Sequence, residues 1–362
     1  MTAPSETARA WVDVDLDALV VNARTLADVC GTRLLPMVKA NGYGLGATRV
    51  ALALEPLDPW GYGVATAEEG LALRDAGVSR PILVVSPLTA ESLESILAPG
   101  FRPTIGDAAM LRAWIARSDA AFHLEIDTGM SRGGIRWSDA AEVAETARVL
   151  AAASGWEGVF THFHSADTDE GSIAVQWRRF QETLSRLPSR PPLVHAANSA
   201  AALCGRAYAA DLIRPGIFLY GGEARSTGPT PRPVAALRAR VVAVRDVAAG
   251  ESVSYGATWA ADRPTTIATL AVGYADGVAR ATDRGATWPP RRVEIRGRTV
   301  PLVGRVTMDL CMAAVDDGQV APGDIATLFG GLVTLDEQAR SVGTISYELL
   351  TSLGPRLPRR YG

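Results

Sequence analysis

Between residues 34 and 214 the chain alternates, eight times, a short apolar run with an alanine- and leucine-rich stretch of helical period. The apolar runs are LLPMV (34–38), GYGVA (61–65), ILVVS (82–86), RPTI (102–105), FHLEID (122–127), GVFTHF (158–163), LVHAA (193–197) and DLIR (211–214). The helical stretches fall between them, at 47–54, 66–76, 89–97, 107–117, 138–153, 171–187 and 199–205. Short apolar runs bounded by turn residues read as strands buried on both faces. A helix between two such strands carries the chain back to its starting end, so successive strands lie parallel. Eight units of this kind predict an α/β fold with an N-terminal (β/α)8 barrel of TIM type. The competing arrangement is an open doubly wound sheet. Its G-x-G-x-x-G fingerprint is missing between a first strand and helix, and the glycines of NGYGLG (41–46) stand at a different spacing.

At GGEARSTGPTPRPV (221–234) the texture changes to glycine, proline and polar residues, as in a linker. Beyond it LRARVVAVRDV (237–247), TTIATLAV (265–272), RRVEIRG (291–297), TVPLVGRVTM (299–308) and DIATLFG (324–330) alternate or run apolar. This predicts a barrel over 1–230 and a C-terminal all-β or mainly β domain over 231–362. WVDVDLD (11–17) alternates like a strand ahead of a helix near 16–29, which Asp15 or Asp17 would cap. Residues 1–14 are therefore open to assignment as a strand of the β domain.

A chain of 362 residues suits two domains, and 48 % hydrophobic with 21 % charged residues marks a core-forming protein. The net charge of −3 is interspersed and no basic block occurs, which argues against nucleic acid as a partner. Cys30, Cys204 and Cys311 form no C-x-x-C pair, which suits a reducing compartment. MTAPSETARAW (1–11) lacks the apolar region of a signal peptide, and no run of about 18 apolar residues would span a membrane. The expected location is the cytoplasm.

Lys39 follows the first apolar run and precedes Gly42, Gly44 and Gly46. One reading is a surface lysine that snorkels. The other is an amine desolvated until it can attack a carbonyl and form a Schiff base. The active site of such a barrel lies at the C-terminal ends of its strands. Arg132, His162, Asn198, Ser199 and Arg214 each end or follow a candidate strand, and their convergence on that face favours the second reading. In LIRPGIFLYG (212–221), Gly216 and Ile217 open a short helical turn of the kind that holds phosphate through backbone N–H groups. Ser199 stands to donate its hydroxyl there, or else to cap a helix; Arg214 stands to bind a ligand, or else to close an ion pair. A carbonyl trap and a phosphate cradle on one face match pyridoxal 5′-phosphate. HFH (162–164) raises the question of a metal, but neither acidic nor cysteine residues stand at zinc spacing from it, so no metal is expected.

The sequence resembles the alanine racemase family. The blocks that carry the likeness run in order along nearly the whole chain: MVKANGYGLG (37–46), IDTGMSRGG (126–134), THF (161–163), ANSAA (197–201), IRPGIFLYG (213–221), VSYGATW (253–259), VGYADGVAR (272–280) and VPLVGRVTMDLCM (300–312). The resemblance implies a homodimer in which pyridoxal phosphate is bound to Lys39 and L- and D-alanine are interconverted, supplying D-alanine for peptidoglycan. Lys39 would be one acid–base group and Tyr255, arriving from the partner subunit, the other. Arg214 would meet the pyridine nitrogen with His162 behind it. Tyr43, Ser199, Gly216 and Ile217 would hold the phosphate, with Asn198 beside them. Arg132 would meet the cofactor's phenolic oxygen and the substrate carboxylate. Met308 with Asp309, from the other subunit, would offer a backbone N–H to that carboxylate, and Tyr274 would line the entrance.

The chain departs from the family pattern at three places. Glu125 stands where members often carry a carbamylated lysine, and would supply an anion directly to orient Arg132. Pro355 stands where many have a tyrosine that reaches the phosphate, and Leu45 replaces a frequent histidine. Other outcomes of the same chemistry are a racemase of serine or another small amino acid, a barrel-class decarboxylase and a non-catalytic pyridoxal-phosphate carrier. A decarboxylase would present a carboxylate in place of Arg214, and a carrier would lack the second domain.

Overall fold

The structure is a computed structural model and describes residues 7–280, 289–315 and 319–362. Residues 1–6, the start of the segment read above for a signal peptide, lie outside the described residues. Eight parallel strands follow one another around a ring: Arg33–Leu34, Tyr62–Val64, Ile82–Pro87, Arg102–Ile105, Phe122–Asp127, Trp156–Phe160, Leu193–His195 and Leu212–Ile213. The ring closes between the first two, where Met37 bridges Gly63, Val38 donates to the Gly63 carbonyl and Gly63 to that of Pro36, both at 2.9 Å. This is the (β/α)8 barrel. The first strand is shorter than its apolar run because Pro36 has no N–H to give the ladder. The sixth ends at Phe160, so Thr161–Phe163 leave the sheet at its C-terminal rim rather than continuing it.

The helix Leu16–Cys30 shows how local chemistry sets the elements. Asp15, of the two candidates, caps it by accepting from the Ala18 N–H at 2.8 Å, and Gly31 ends it at φ 59°. Ala18, Leu19, Ala23, Leu26 and Cys30 recur at helical spacing and are buried.

The second domain is a closed ring of six antiparallel strands, in the order Ala235–Val247, Thr265–Leu270, Cys311–Val315, Arg298–Val303, Arg292–Ile295 and Ile325–Phe329. Ala235–Val247 is long enough to serve twice. Its first half pairs with Ile325–Phe329 and its second with Thr265–Leu270, and a bulge between Val241 and Ala243 bends it across. Ala10–Val14 pairs antiparallel with the outer side of the same strand, and Arg359–Tyr361 adds to it in parallel. Ala10–Val14 and Arg359–Tyr361, far apart in sequence, thus belong to the same β sheet. The domain also holds two helices, Leu335–Val342 and Ser346–Thr351, which the all-β or mainly β pattern read from the sequence does not place. The first has a capping box, Thr334 with Glu337, which the spacing T-x-x-E announces.

The terminal strand also clasps the barrel. The Arg359 guanidinium donates to the carbonyls of Gly44 at 3.0 Å, Leu353 at 2.8 Å, Gly354 at 2.7 Å and Leu357 at 2.6 Å. The Tyr361 hydroxyl donates to the Leu45 carbonyl at 3.0 Å. Leu45 itself is buried in the core, so its side chain serves packing. Gly44, at φ 81°, is held where an added Cβ would lie 2.3 Å from the Leu350 carbonyl oxygen. Gly44→Ala is expected to cost about 2 kcal/mol or more through left-handed strain and this clash. Gly77→Ala, also left-handed (φ 88°) but with nothing within 4 Å among the described residues, should cost about 1 kcal/mol. Urea unfolding midpoints of the two variants, at unchanged slope, check the ranking.

Candidate active site

Lys39 opens a stretch that winds the wrong way. Ala40, Asn41, Gly42, Tyr43 and Gly44 all have positive φ, at 51°, 53°, 63°, 53° and 81°. A left-handed residue other than glycine costs roughly 1–2 kcal/mol, so the turn needs external support. Glu69 provides part of it, accepting from the Ala40 N–H at 2.6 Å and from the Ala65 N–H at 2.7 Å. The Asn41 side chain accepts from the Ala47 N–H at 3.1 Å. Tyr43 stacks on Tyr220 with ring centres 4.4 Å apart, and the Tyr220 hydroxyl donates to the Met37 carbonyl at 2.8 Å. The turn sets the side chain of Lys39 at the barrel mouth. Lys39 is also the single lysine among the 36 lysines and arginines of the chain, a signal that the sequence motifs alone do not bring out.

The mouth opens on a cavity of about 700 Å³. Lys39, Tyr43, Glu125, Arg132 and His162 line it from one part of the sequence, and Asn198, Ser199, Arg214, Gly216 and Ile217 from another. Burial, and then the charges of Arg132 and Arg214, hold the Lys39 amine below the ordinary lysine range; Glu69 acts in the opposite sense.

Arg214 is almost wholly buried and forms no ion pair among the described residues. Its guanidinium donates to His195 Nδ1 at 2.8 Å, to the Thr161 and Ala196 carbonyls at 2.7 and 3.0 Å, and faces His162 Nδ1 at 3.3 Å. Burial lowers its pKa to about 10, so it stays a cation at neutral pH. The same burial, with the charges of Arg214, Arg132 and Lys39, pushes His162 down to about 3 and keeps it neutral. His164, the other histidine of HFH, faces Ser165, and the two are not on a strand.

Ser199 is not the cap of its helix. Asn198 is, through its side-chain oxygen and the Ala201 N–H at 3.0 Å. Ser199 Oγ instead accepts from the N–H groups of Gly216 at 2.8 Å and Phe218 at 3.4 Å, knitting the turn after the last strand. A Cβ on Gly216 would lie 2.3 Å from the Tyr43 hydroxyl, so only glycine lets the two approach. Asp127 shapes the loop before Arg132 by accepting from the N–H groups of Gly129 and Ser131 at 2.9 and 3.0 Å. Glu125 is 7 % exposed and forms no ion pair with Arg132. Burial raises its pKa, against the opposing charges of Arg132 and Arg214.

Tyr255, Tyr274, Met308 and Asp309 do not line this cavity. Tyr255 is 71 % exposed and Met308 53 %. They share one side of the β domain: Tyr274 and Ala275 donate to the carbonyls of Thr307 and Met308 at 3.0 Å each, and Ser254 Oγ donates to the Arg305 carbonyl at 2.7 Å. Ser254, at φ 69° and ψ −176°, occupies backbone space nearly reserved for glycine, which marks the presentation of Tyr255 as constrained. Tyr274 lines a neighbouring groove that shares Glu348 with the cavity.

Sequence reasoning missed one wall. The helix Ser346–Thr351 brings Tyr347, Glu348 and Thr351 to the cavity, and Tyr347 lies against Tyr43 with ring centres 6.1 Å apart. Burial pushes the Tyr347 phenol up to about 12. The spacing of Tyr347 and Thr351, one helical turn apart, was the available signal. Pro355 is exposed and does not line the cavity.

The residues present fit a phosphorylated aldehyde. Lys39, Arg132 and Arg214 converge on the cavity, whose lining also carries the carboxylates Glu125, Asp167 and Glu348, and the Tyr43–Gly216–Ser199 cradle is built where a Cβ would obstruct. The family model for the alanine racemase N-terminal domain matches residues 14–224, and that for the C-terminal domain matches residues 234–361. An alanine racemase of Deinococcus radiodurans is 40 % identical over 98 % of this chain and 99 % of its own. One of Carboxydothermus hydrogenoformans is 36 % identical over 97 % and 99 %. The crystal structure of an alanine racemase from Bartonella henselae, with covalently bound pyridoxal phosphate, superposes at a TM-score of 0.89 with 31 % identity, covering 98 % of this chain and all of that one. With both domains matched and relatives of this similarity along its length, the chain belongs to the alanine racemase family.

Proposed function

We propose that the protein interconverts L- and D-alanine, with pyridoxal 5′-phosphate held covalently by Lys39 and with each site completed by a second copy of the chain. The observation that carries the reading is Lys39 itself: the one lysine of the chain, seated in the barrel-mouth cavity with Arg132, Arg214 and the Tyr43–Gly216–Ser199 cradle. When bound, the cofactor withdraws electrons from the substrate's Cα and so weakens its bond to hydrogen. The rest is work for the protein. Racemisation needs a proton acceptor on one face of Cα and a donor on the other. Lys39 would be one of them, and the burial that lowers its pKa favours the neutral amine over the charged one. Arg214 can donate a hydrogen bond but accepts no proton. Toward a ring nitrogen it therefore limits electron withdrawal and favours prompt reprotonation over decarboxylation or transamination. Asn198, Ser199, Gly216, Ile217 and Tyr43 would seat the phosphate, and Arg132 the substrate carboxylate.

The second group is Tyr255. In its own chain it stands away from the cavity and in solvent, together with Tyr274 and Met308. A two-fold dimer that places this face over the partner's cavity buries it and gives two equivalent sites. Met308 and Asp309 would then approach the substrate carboxylate from the partner. The product's use in the cytoplasm would be D-alanine for cell-wall peptidoglycan.

The assignment is tested by α-hydrogen exchange in D2O across a panel of L-amino acids, with chiral analysis of the products. Exchange with inversion of alanine, faster than of serine, is expected. Decarboxylation, or cofactor binding without exchange, would overturn it.

Two further outcomes follow. Because Lys39 is the only lysine, borohydride reduction of the protein with pyridoxal phosphate should fix one adduct at Lys39, by mass spectrometry, and none in Lys39→Ala. In the cofactor-free protein, the rate of amine modification at Lys39 should rise with pH through a midpoint below 10.5, because burial and neighbouring cations favour loss of its proton.

Glu125 would act on Arg132 as a fixed negative charge across the cavity rather than as a contact partner. Protonation of a carboxyl whose pKa is raised begins above the usual carboxylate range, so kcat/KM should fall on that acidic limb. Glu125→Gln should lower kcat/KM by about tenfold, the effect of about 1.4 kcal/mol, and flatten the limb. A pH–rate profile of the two proteins decides it; superimposable profiles would remove Glu125 from the mechanism.

A further inference from the structure

A line of buried side chains runs from Arg214 down the barrel axis. Arg214 donates to His195 Nδ1 at 2.8 Å, His195 Nε2 meets His123 Nδ1 at 2.8 Å, and His123 Nε2 meets Glu157 Oε2 at 3.2 Å. Glu157 also accepts from Arg102 Nε at 3.1 Å. Arg214 and His195 stand at the C-terminal rim, whereas His123, Glu157 and Arg102 begin their strands at the opposite end. The two imidazoles are wholly buried, and Arg102 and Glu157 are partly exposed at the barrel floor.

The donor directions are forced. A guanidinium has only N–H groups to offer, so His195 Nδ1 must accept. The proton of the neutral ring then sits on Nε2 and points at His123 Nδ1, which must accept in turn. The His123 proton is left on Nε2 and points at the Glu157 carboxylate. Reversing the line would put a proton on His195 Nδ1, facing the guanidinium. Burial pushes both histidines down and so excludes the doubly protonated forms that would break the order. Burial alone would raise Glu157, but hydrogen bonds from His123 and Arg102 outweigh it and keep the carboxyl ionised. The packing leaves little choice of pose. Phe160 stacks on His195 at 5.0 Å, Trp60 lies 5.4 Å from His123, and a Cβ on Gly158 would fall 2.5 Å from His123 Nδ1.

We propose that Glu157, acting through His123 and His195, is a positioning residue for Arg214: as the terminal acceptor it fixes both tautomers, so that His195 presents a lone pair to the guanidinium. Neither Glu157 nor His123 lines the cavity. The proposal rests on the reading of Arg214 as the group that faces the cofactor's ring nitrogen. Without an acceptor at 157, the His123 N–H is buried without a partner, and the line gains by turning round. His195 then confronts Arg214 with a proton, and the guanidinium loses its orientation.

The test is ¹⁵N NMR of histidine-labelled full-length protein, with and without pyridoxal phosphate; only four histidines contribute. At neutral pH, His123 and His195 should both be neutral and protonated at Nε2. Glu157→Leu should bring out the Nδ1-protonated form of His123. It should also lower kcat for alanine by about tenfold, the factor for one ordinary hydrogen bond, with KM changed less than about twofold. Glu157→Gln, which retains an acceptor oxygen, should restore both the tautomers and most of kcat. Nδ1-protonated or cationic His195 in the unaltered protein would overturn the proposal, without need of any variant. So would an unchanged kcat in Glu157→Leu despite shifted tautomers. Failure of the unaltered protein to racemise alanine would instead overturn the assigned reaction, which the spectra of the cofactor-free protein do not depend on.

Discussion

The left-handed turn behind Lys39 is the constraint from which the site follows. Five successive residues at positive φ cannot hold themselves, and their support comes from distant parts of the chain: Glu69 from the second strand–helix unit, Tyr220 from beyond the eighth strand, and Arg359 and Tyr361 from the terminal strand. Barrel and β domain are thereby joined at the point where the amine is presented. The terminal strand is paired with Ala10–Val14, so that strand is part of the same device.

The cavity's electrostatics follow from what is buried beside that amine. Two guanidinium groups and the desolvation of the barrel mouth depress Lys39, while Glu125, one of the lining's three carboxylates with Asp167 and Glu348, acts against the charges of Arg132 and Arg214 without pairing. Among the described residues Arg214 is held by neutral acceptors only. An arginine so placed keeps its charge available to a ligand instead of spending it on a carboxylate, and burial without a counter-ion is sustained by four hydrogen-bond acceptors.

Much of this was legible in the sequence, and what was missed has physical reasons. The eight units showed because strands buried on both faces have to be apolar, and RPTI and FHLEID match their strands residue for residue. LLPMV was overread because apolarity does not show that Pro36 lacks an N–H. The helices after Thr334 went unseen because short amphipathic segments are masked by a surrounding β pattern, although the capping box at Thr334 and Glu337 was visible. In the site, residues that end strands were found by position alone. Tyr347 was missed because it belongs to the other domain and reaches the cavity only through tertiary packing. The His195–His123–Glu157 line was missed for a similar reason: its members are far apart in sequence and meet only because three strands face one axis.

The central claim is that Lys39 of one chain and Tyr255 of another make one site. Lys39→Ala and Tyr255→Phe chains, each inactive alone, can be mixed under conditions that exchange subunits. Each mixed dimer would then hold one intact site of its two, and random exchange predicts recovery of about a quarter of the unaltered activity. A mixture shown by native mass spectrometry to contain mixed dimers, yet still inactive, would contradict the account.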